Sequence, residues 1–238
     1  MTVEFPEHYV ELERIYSPTI GHGMRSLVVT SADEGEGVTT LVVALAKRNR
    51  YSGRSTLVVD LNLHRPALHK RFGLSYIPAP PDGGHGPDAL PRVDLGEGLT
   101  VMPAPTNRGE AVLLRETHRF KEYLEVWLKQ YDVVIFDSTP LNGSNKGNIP
   151  AERICHGCEA SILVVLAGVT PASAVRAALD KLNSVGVTLV GTVLNDFHNP
   201  SLAEELRRET RHFDRLLPGF TQRLRGRIHA SQLLNLET

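Results

Sequence analysis

The sequence predicts an α/β protein: a doubly wound, mostly parallel sheet followed by a helical C-terminal tail. Three observations point there. Five short apolar runs lack polar alternation: 26–30 (SLVVT), 56–59 (TLVV), 133–136 (VVIF), 162–166 (ILVVL) and 188–194 (TLVGTVL). Strands of that kind are buried on both faces, as in a parallel sheet covered by helices. Helical patterns alternate with them, and a glycine-bearing loop joins the first run to the first of these helices.

Taken in order, each element has its own signal. The first run passes through the loop 31–37 into a helix expected over 39–50. The second run precedes the segment LNLHRPALHKRFG, whose His69 is expected to pack that helical stretch. Residues 76–92 (YIPAPPDGGHGPDALPR) are dense in proline and glycine and read as a long loop. A helix is expected over 109–130, carrying Val112, Leu113, Phe120, Tyr123, Leu124 and Trp127. After the third run, 141–148 (LNGSNKGN) is a polar loop. Residues 171–184 open with proline and place Val175, Ala178, Leu179 and Leu182 at spacings of three and four, the mark of one buried helical face. Residues 201–238 form the helical tail, with Leu202, Leu206, Phe213 and Leu217 on one face. The expected division is an N-terminal segment 1–24, a central domain 25–200 and the tail 201–238.

Composition narrows the function classes. With 238 residues and 41% hydrophobic content, one large α/β domain can bury a full core. Net charge is −1, so no global field draws the chain to nucleic acid or anionic lipid. Two cysteines exclude a disulfide framework. The N-terminus lacks an apolar signal core, and no run is long enough to span a bilayer. The expectation is a cytoplasmic protein that reaches a membrane only through a partner.

The chemistry is concentrated at residues 26–40, SLVVTSADEGEGVTT. A buried strand, a glycine loop and a helix in succession aim backbone N–H groups and a helix N-terminus at a phosphate chain. The P-loop pattern G-x-x-x-x-G-K-[ST] requires a lysine after its last glycine. Here Val38 holds that place, Gly37 and Thr39 remain, and Ala32 replaces the first glycine.

Further stretches extend the pattern: VVDLNLHRPALHKRFG from Val58, YDVVIFDSTP from Tyr131, LVGTVLND from Leu189 and ELERIYSPTI from Glu11. In this order they resemble the cytoplasmic kinase domain of bacterial tyrosine autokinases (BY-kinases), relatives of the MinD/ParA ATPases within the P-loop NTPase superfamily. The resemblance implies a nucleotide site formed by Gly35, Glu36, Gly37, Val38, Thr39, Thr40 and Asn195. It makes Asp60 and Asp137 the catalytic carboxylates and Thr39, Asp60 and Asp137 the Mg²⁺ ligands. It also implies a membrane polysaccharide copolymerase (Wzz-like) as partner and a role in exopolysaccharide or capsule export.

The departures from that pattern bear on activity. Val38 replaces the phosphate-binding lysine, Asn62 and His64 stand where the family has aspartate and arginine, and 141–148 lacks the family's next aspartate. Lys47 and Arg48 lie too far along the helix to substitute, leaving Arg65 and Lys146 as replacement candidates. A charge-assisted phosphate contact is worth about 1.5–3 kcal/mol. The expectation is therefore a pseudokinase with degenerate, vestigial catalytic residues and weak or absent binding of ATP, ADP and Mg²⁺. Two alternatives are an active ATPase or tyrosine kinase with an altered phosphate loop, and a ParA-like positioning ATPase.

No tyrosine follows Tyr131, so the tail lacks the family's C-terminal tyrosine cluster. Ser17 replaces the second arginine of the family's E-x-x-R-x-x-R oligomerisation helix, which retains Glu11 and Arg14. A monomer or dimer is expected rather than an octameric ring. Cys155 and Cys158 have no second ligand pair at zinc spacing and read as small core residues. The glycine-flanked His22 and His85 read as loop residues. The tail's seven arginines against five acids read as a solvated helix face or, with leucine at helical spacing and a basic patch at 223–227, as a docking helix, but not as a nucleic-acid surface.

Overall fold

Helix α1 (Val10–Tyr16) and a single 3-10 turn (Ile20–His22) open the computed structural model, which describes residues 6, 8–74, 86–143 and 147–197. Then follow β1 (Ser26–Ser31), α2 (Val38–Arg50), β2 (Thr56–Asp60), α3 (Leu68–Arg71), β3 (Val93–Asp94) and β4 (Leu99–Met102). The order continues with α4 (Arg108–Leu113), α5 (Thr117–Gln130), β5 (Val133–Asp137), α6 (Ala151–Gly157), β6 (Ala160–Leu166), α7 (Ala172–Ser184) and β7 (Leu189–Asn195). The chain divides into two units. Residues 1–166 and 170–195 form the first, which contains every element just named; 167–169 and 196–238 form the second, of which residues 167–169 make a turn.

The seven strands form one sheet in the order β3-β4-β2-β5-β1-β6-β7. Every neighbouring pair is parallel except β3–β4. Chain direction across the sheet reverses around β1, and at such a switch point the carboxyl ends of the strands leave a crevice. The β1, β2 and β5 ends that form it are adjacent, with Asp60 directly opposite Asp137 in register.

Alternation along each strand supplies two cores. On one face Val28, Leu57, Val59, Phe136 and Leu163 pack with Phe120 and Trp127 of α5 and Ile154 of α6. On the other Leu27, Val29, Val58, Ile135 and Ile162 pack with Val42 and Leu45 of α2 and Leu12 and Tyr16 of α1. Helix α1 is tied to α2: the Tyr16 hydroxyl donates to Asn49 Oδ1 at 2.7 Å, and Arg48 pairs with Glu13 while its guanidinium lies 4.3 Å from the Tyr16 ring centre.

The structure corrects several expectations. The helix expected over 109–130 is two helices. Asn107 caps the first, its Oδ1 accepting from Gly109 N–H, and i→i+3 bonds at Arg115 and Glu116 end it. The break turns Glu110 onto the Tyr123 hydroxyl at 2.6 Å and leaves Val112 half exposed rather than in the core. Strands β3 and β4 were not expected. The four-residue run LTVM in β4 is fully buried. Strand β7, read as buried, is an edge strand among the described residues, with Leu194 68% exposed. His22 belongs to the 3-10 turn rather than a loop. The helical reading of 201–238, most of the loop 76–92, His85 and Lys146 lie outside the described residues.

Candidate phosphate-binding site

The loop between β1 and α2 is shaped by glycine. Gly35 (φ 81°) and Gly37 (φ 101°) occupy the left-handed region that side chains disfavour, and Gly37 caps α2. A Cβ on Gly37 would also stand 2.6 Å from Asn195 Nδ2. Asn195 reaches the loop from the end of β7 and donates from that nitrogen to Glu36 O at 2.9 Å. The buried Glu36 side chain turns inward: Oε2 accepts the Ala32 N–H at 2.8 Å, and Oε1 accepts the Thr170 hydroxyl. Glu36 thereby closes the loop on itself, and Val38 packs its side chain into the α1–α2 core.

This loop opens on a cavity of about 660 Å³ lined by residues 35–40, Asn62, Arg65, Arg71, Asp137, Ser138, Asn148 and Lys181, among others. At the end of β2, opposite Asp137, Asp60 is fully buried. Oδ1 accepts the Asn62 amide at 3.0 Å, and Oδ2 accepts those of Ala67 and Leu68 at 2.9 and 3.1 Å. Asp60 thus pins the start of α3. Burial raises its pKa, against the pull of those amides and of His69. Asn62 and Asn148 clasp two loops together: Asn148 Oδ1 accepts the Leu63 amide at 2.9 Å, and Asn148 Nδ2 donates to Asn62 Oδ1 at 3.3 Å.

Asp137 stands beside Asp60, almost wholly buried. Burial first and the Asp60 carboxylate second push its carboxyl up to about 8; the Thr39 hydroxyl and the Arg71 charge oppose the rise. Asp137 Oδ2 and the buried Ser138 Oγ have no hydrogen-bond partner in the protein. Buried polar atoms without partners call for an explanation, and because both residues line this cavity a polar ligand there would supply one. The residues fit a Mg²⁺–polyphosphate group: Asp137 and Thr39 would hold the ion while phosphate oxygens and water complete its shell, as is usual for Mg²⁺. Such an ion would neutralise charge on the phosphates. Among the described residues no group of three His, Cys, Asp or Glu side chains forms a metal cage.

The predicted residues are thus gathered in one place. Gly35 to Thr40 and Asp137 line the cavity and Asn195 bonds the loop, whereas Asp60 is opposite Asp137 in register but is not itself a lining residue. Of the replacement cations, Arg65 pairs with the loop's own Glu34 at 2.7 Å, both largely exposed. Sequence reading passed over Arg71 and Lys181. Arg71 donates from Nη2 to Thr40 Oγ1 at 3.1 Å; Lys181 donates to Leu141 O at 2.7 Å. Arg71 sits within the quoted stretch from Val58 but at none of the positions weighed there, and Lys181 lies outside every motif; helix placement brings both to the cavity. Cys155 lies buried in α6 with Cys158 just beyond, and neither is among the cavity's lining residues.

The sheet order, the glycine loop and the strand-end carboxylates define a P-loop NTPase fold. The VpsO kinase domain matches it with a TM-score of 0.64 at 24% identity, over 80% of this chain and 93% of that one. MinD from Pyrococcus horikoshii OT3, complexed with Mg-ADP, matches with 0.59 at 19% identity, over 74% and 72%. No family model matches the chain. By sequence it is 28% identical over 185 residues to the tyrosine-protein kinase CpsD of Streptococcus pneumoniae, spanning 74% of this chain and 77% of the relative. The putative tyrosine-protein kinase CapB of Staphylococcus aureus is 27% identical over 178 residues, 72% and 75% of the two chains. The chain is a homologue of the bacterial tyrosine kinases.

Proposed function

We propose that this chain is a catalytically impaired BY-kinase-like subunit that regulates exopolysaccharide or capsule assembly and retains only weak nucleotide binding. Val38 carries the reading. At the position where the family's lysine meets the phosphates, an apolar side chain is packed into the core, and the loop's Glu36 is bound within the loop. Phosphoryl transfer depends on positioning and charge neutralisation, so a missing phosphate cation lowers both affinity and rate. Asn62 holds a loop clasp in place of the family's second aspartate. Turnover of Mg·ATP and tyrosine phosphorylation are expected at background. Val38→Lys is expected to tighten nucleotide binding by roughly 10- to 100-fold without restoring full activity. Robust wild-type ATPase activity that is abolished by Asp137→Ala would overturn the reading.

A membrane polysaccharide copolymerase is the proposed partner and the link to the inner membrane; among the described residues no helix is long and apolar enough to cross one. Helix α1 supports a small assembly. Its apolar residues Leu12 and Tyr16 are buried against its own domain, and Ser17, exposed at its end, lacks the guanidinium that makes bidentate contacts at an interface. Light scattering should find a monomer or dimer alone and a stoichiometric complex with the copolymerase's cytoplasmic segment. A stable octamer without partner contradicts this.

A further inference from the structure

We propose that Arg71 supplies, from α3, the phosphate-binding charge that Val38 cannot supply from the loop, so that the polyphosphate chain of a nucleotide is held between the N-terminus of α2 and a guanidinium of the neighbouring helix. This rests on the nucleotide reading of the cavity and adds a residue outside the P-loop motif. Three placements support it. Arg71 lines the same cavity as Gly37, Thr39 and Asp137. Its Nη2 donates to Thr40 Oγ1, in the first turn of α2, where backbone N–H groups face an incoming anion. Helix α3 is also fixed rather than adaptable: the buried Asp60 accepts the amides of Ala67 and Leu68 and sets where the helix begins, hence where Arg71 projects.

Chemistry favours an arginine in this role. A planar guanidinium offers several donors and can keep its bond to Thr40 while engaging a phosphate oxygen. Arg65, the other arginine at the cavity, pairs with Glu34 at the surface. A guanidinium on the flanking helix thus makes up part of the charge that the loop lacks, which leaves nucleotide binding weak rather than absent.

The test titrates purified full-length protein with Mg·ADP and separately with Mg·tripolyphosphate, following the thermal midpoint, for wild type, Arg71→Ala, Arg71→Gln, Arg71→Lys and the exposed control Lys70→Ala. Expected are a 10- to 100-fold loss of affinity for both ligands in Arg71→Ala and Arg71→Gln, partial retention in Arg71→Lys and no change in the control. Wild-type affinity should fall with added salt more steeply than that of Arg71→Gln, which a merely structural role would not produce. Unchanged affinity in a folded Arg71→Ala or Arg71→Gln overturns the assignment and leaves the nucleotide reading standing. No binding of either ligand by wild type overturns both.

Discussion

Replacing Asp60 with alanine should lower the thermal midpoint by about 10 °C, a larger loss than any exposed substitution would cause. The Asp60 carboxylate accepts three backbone amides from the segment joining β2 to α3. Each buried donor left without a partner costs about 1–3 kcal/mol. Two gains oppose this, since alanine removes a buried carboxylate and its repulsion of Asp137. With three amides left unsatisfied, the loss outweighs both gains. Asp60→Asn keeps one acceptor oxygen and should fall between alanine and wild type. Calorimetric melting of the three proteins without nucleotide checks this. If Asp60→Ala melts at or above wild type, the residue is a strained functional carboxylate rather than the clamp on α3.

Stability of the unliganded protein should fall as the pH rises from about 4 to about 8, and Asp137→Asn should remove most of that dependence. The Asp137 carboxyl sits up at about 8 against an ordinary 3.8, through burial and the neighbouring Asp60 carboxylate. Between those values the folded protein keeps a proton that the unfolded chain has released. This group therefore favours folding most at the acid end, and its contribution is lost through the folded pKa. Asp60, raised by burial, adds to the same trend. Asp88 and Asp132, lowered by their hydrogen bonds to Gln130 and to Ser55, work in the opposite sense, but below the ordinary carboxylate range. At 1.36 kcal/mol per pKa unit, the difference between Asp137→Asn and wild type should reach a few kcal/mol near pH 8.5 and shrink toward pH 5. Denaturant unfolding across that interval measures it. A variant that tracks wild type at every pH would show that Asp137 titrates normally. Mg²⁺ with ADP should narrow the gap by favouring the ionised wild-type carboxylate.

Much of this architecture was legible without coordinates. The five uninterrupted apolar runs announced buried parallel strands, and all five are found within a residue or two of the expected limits. The loop 31–37 declared itself through Gly35 and Gly37, whose backbone angles other residues resist. Less legible were the short and the edge elements. Strand β3 is only two residues long, and β7 has the composition of a core strand while lying at the sheet's margin. Position in a sheet depends on what pairs on either side, and no local window contains that.

The sequence by itself determined the parallel α/β sheet, the glycine loop after β1 and the valine at position 38, where the P-loop pattern has lysine, because each is written in neighbouring residues. The tertiary structure decided what the surviving polar groups do. Glu36 became an internal brace, Asp60 a clamp on α3, and Asp137 a buried acid with an unsatisfied oxygen. It also brought Arg71 and Lys181 to a cavity whose loop they do not belong to. These roles follow from strands and helices distant in sequence meeting at one sheet edge. There burial and hydrogen bonding set the chemistry of a carboxylate or a guanidinium, and residue identity alone does not.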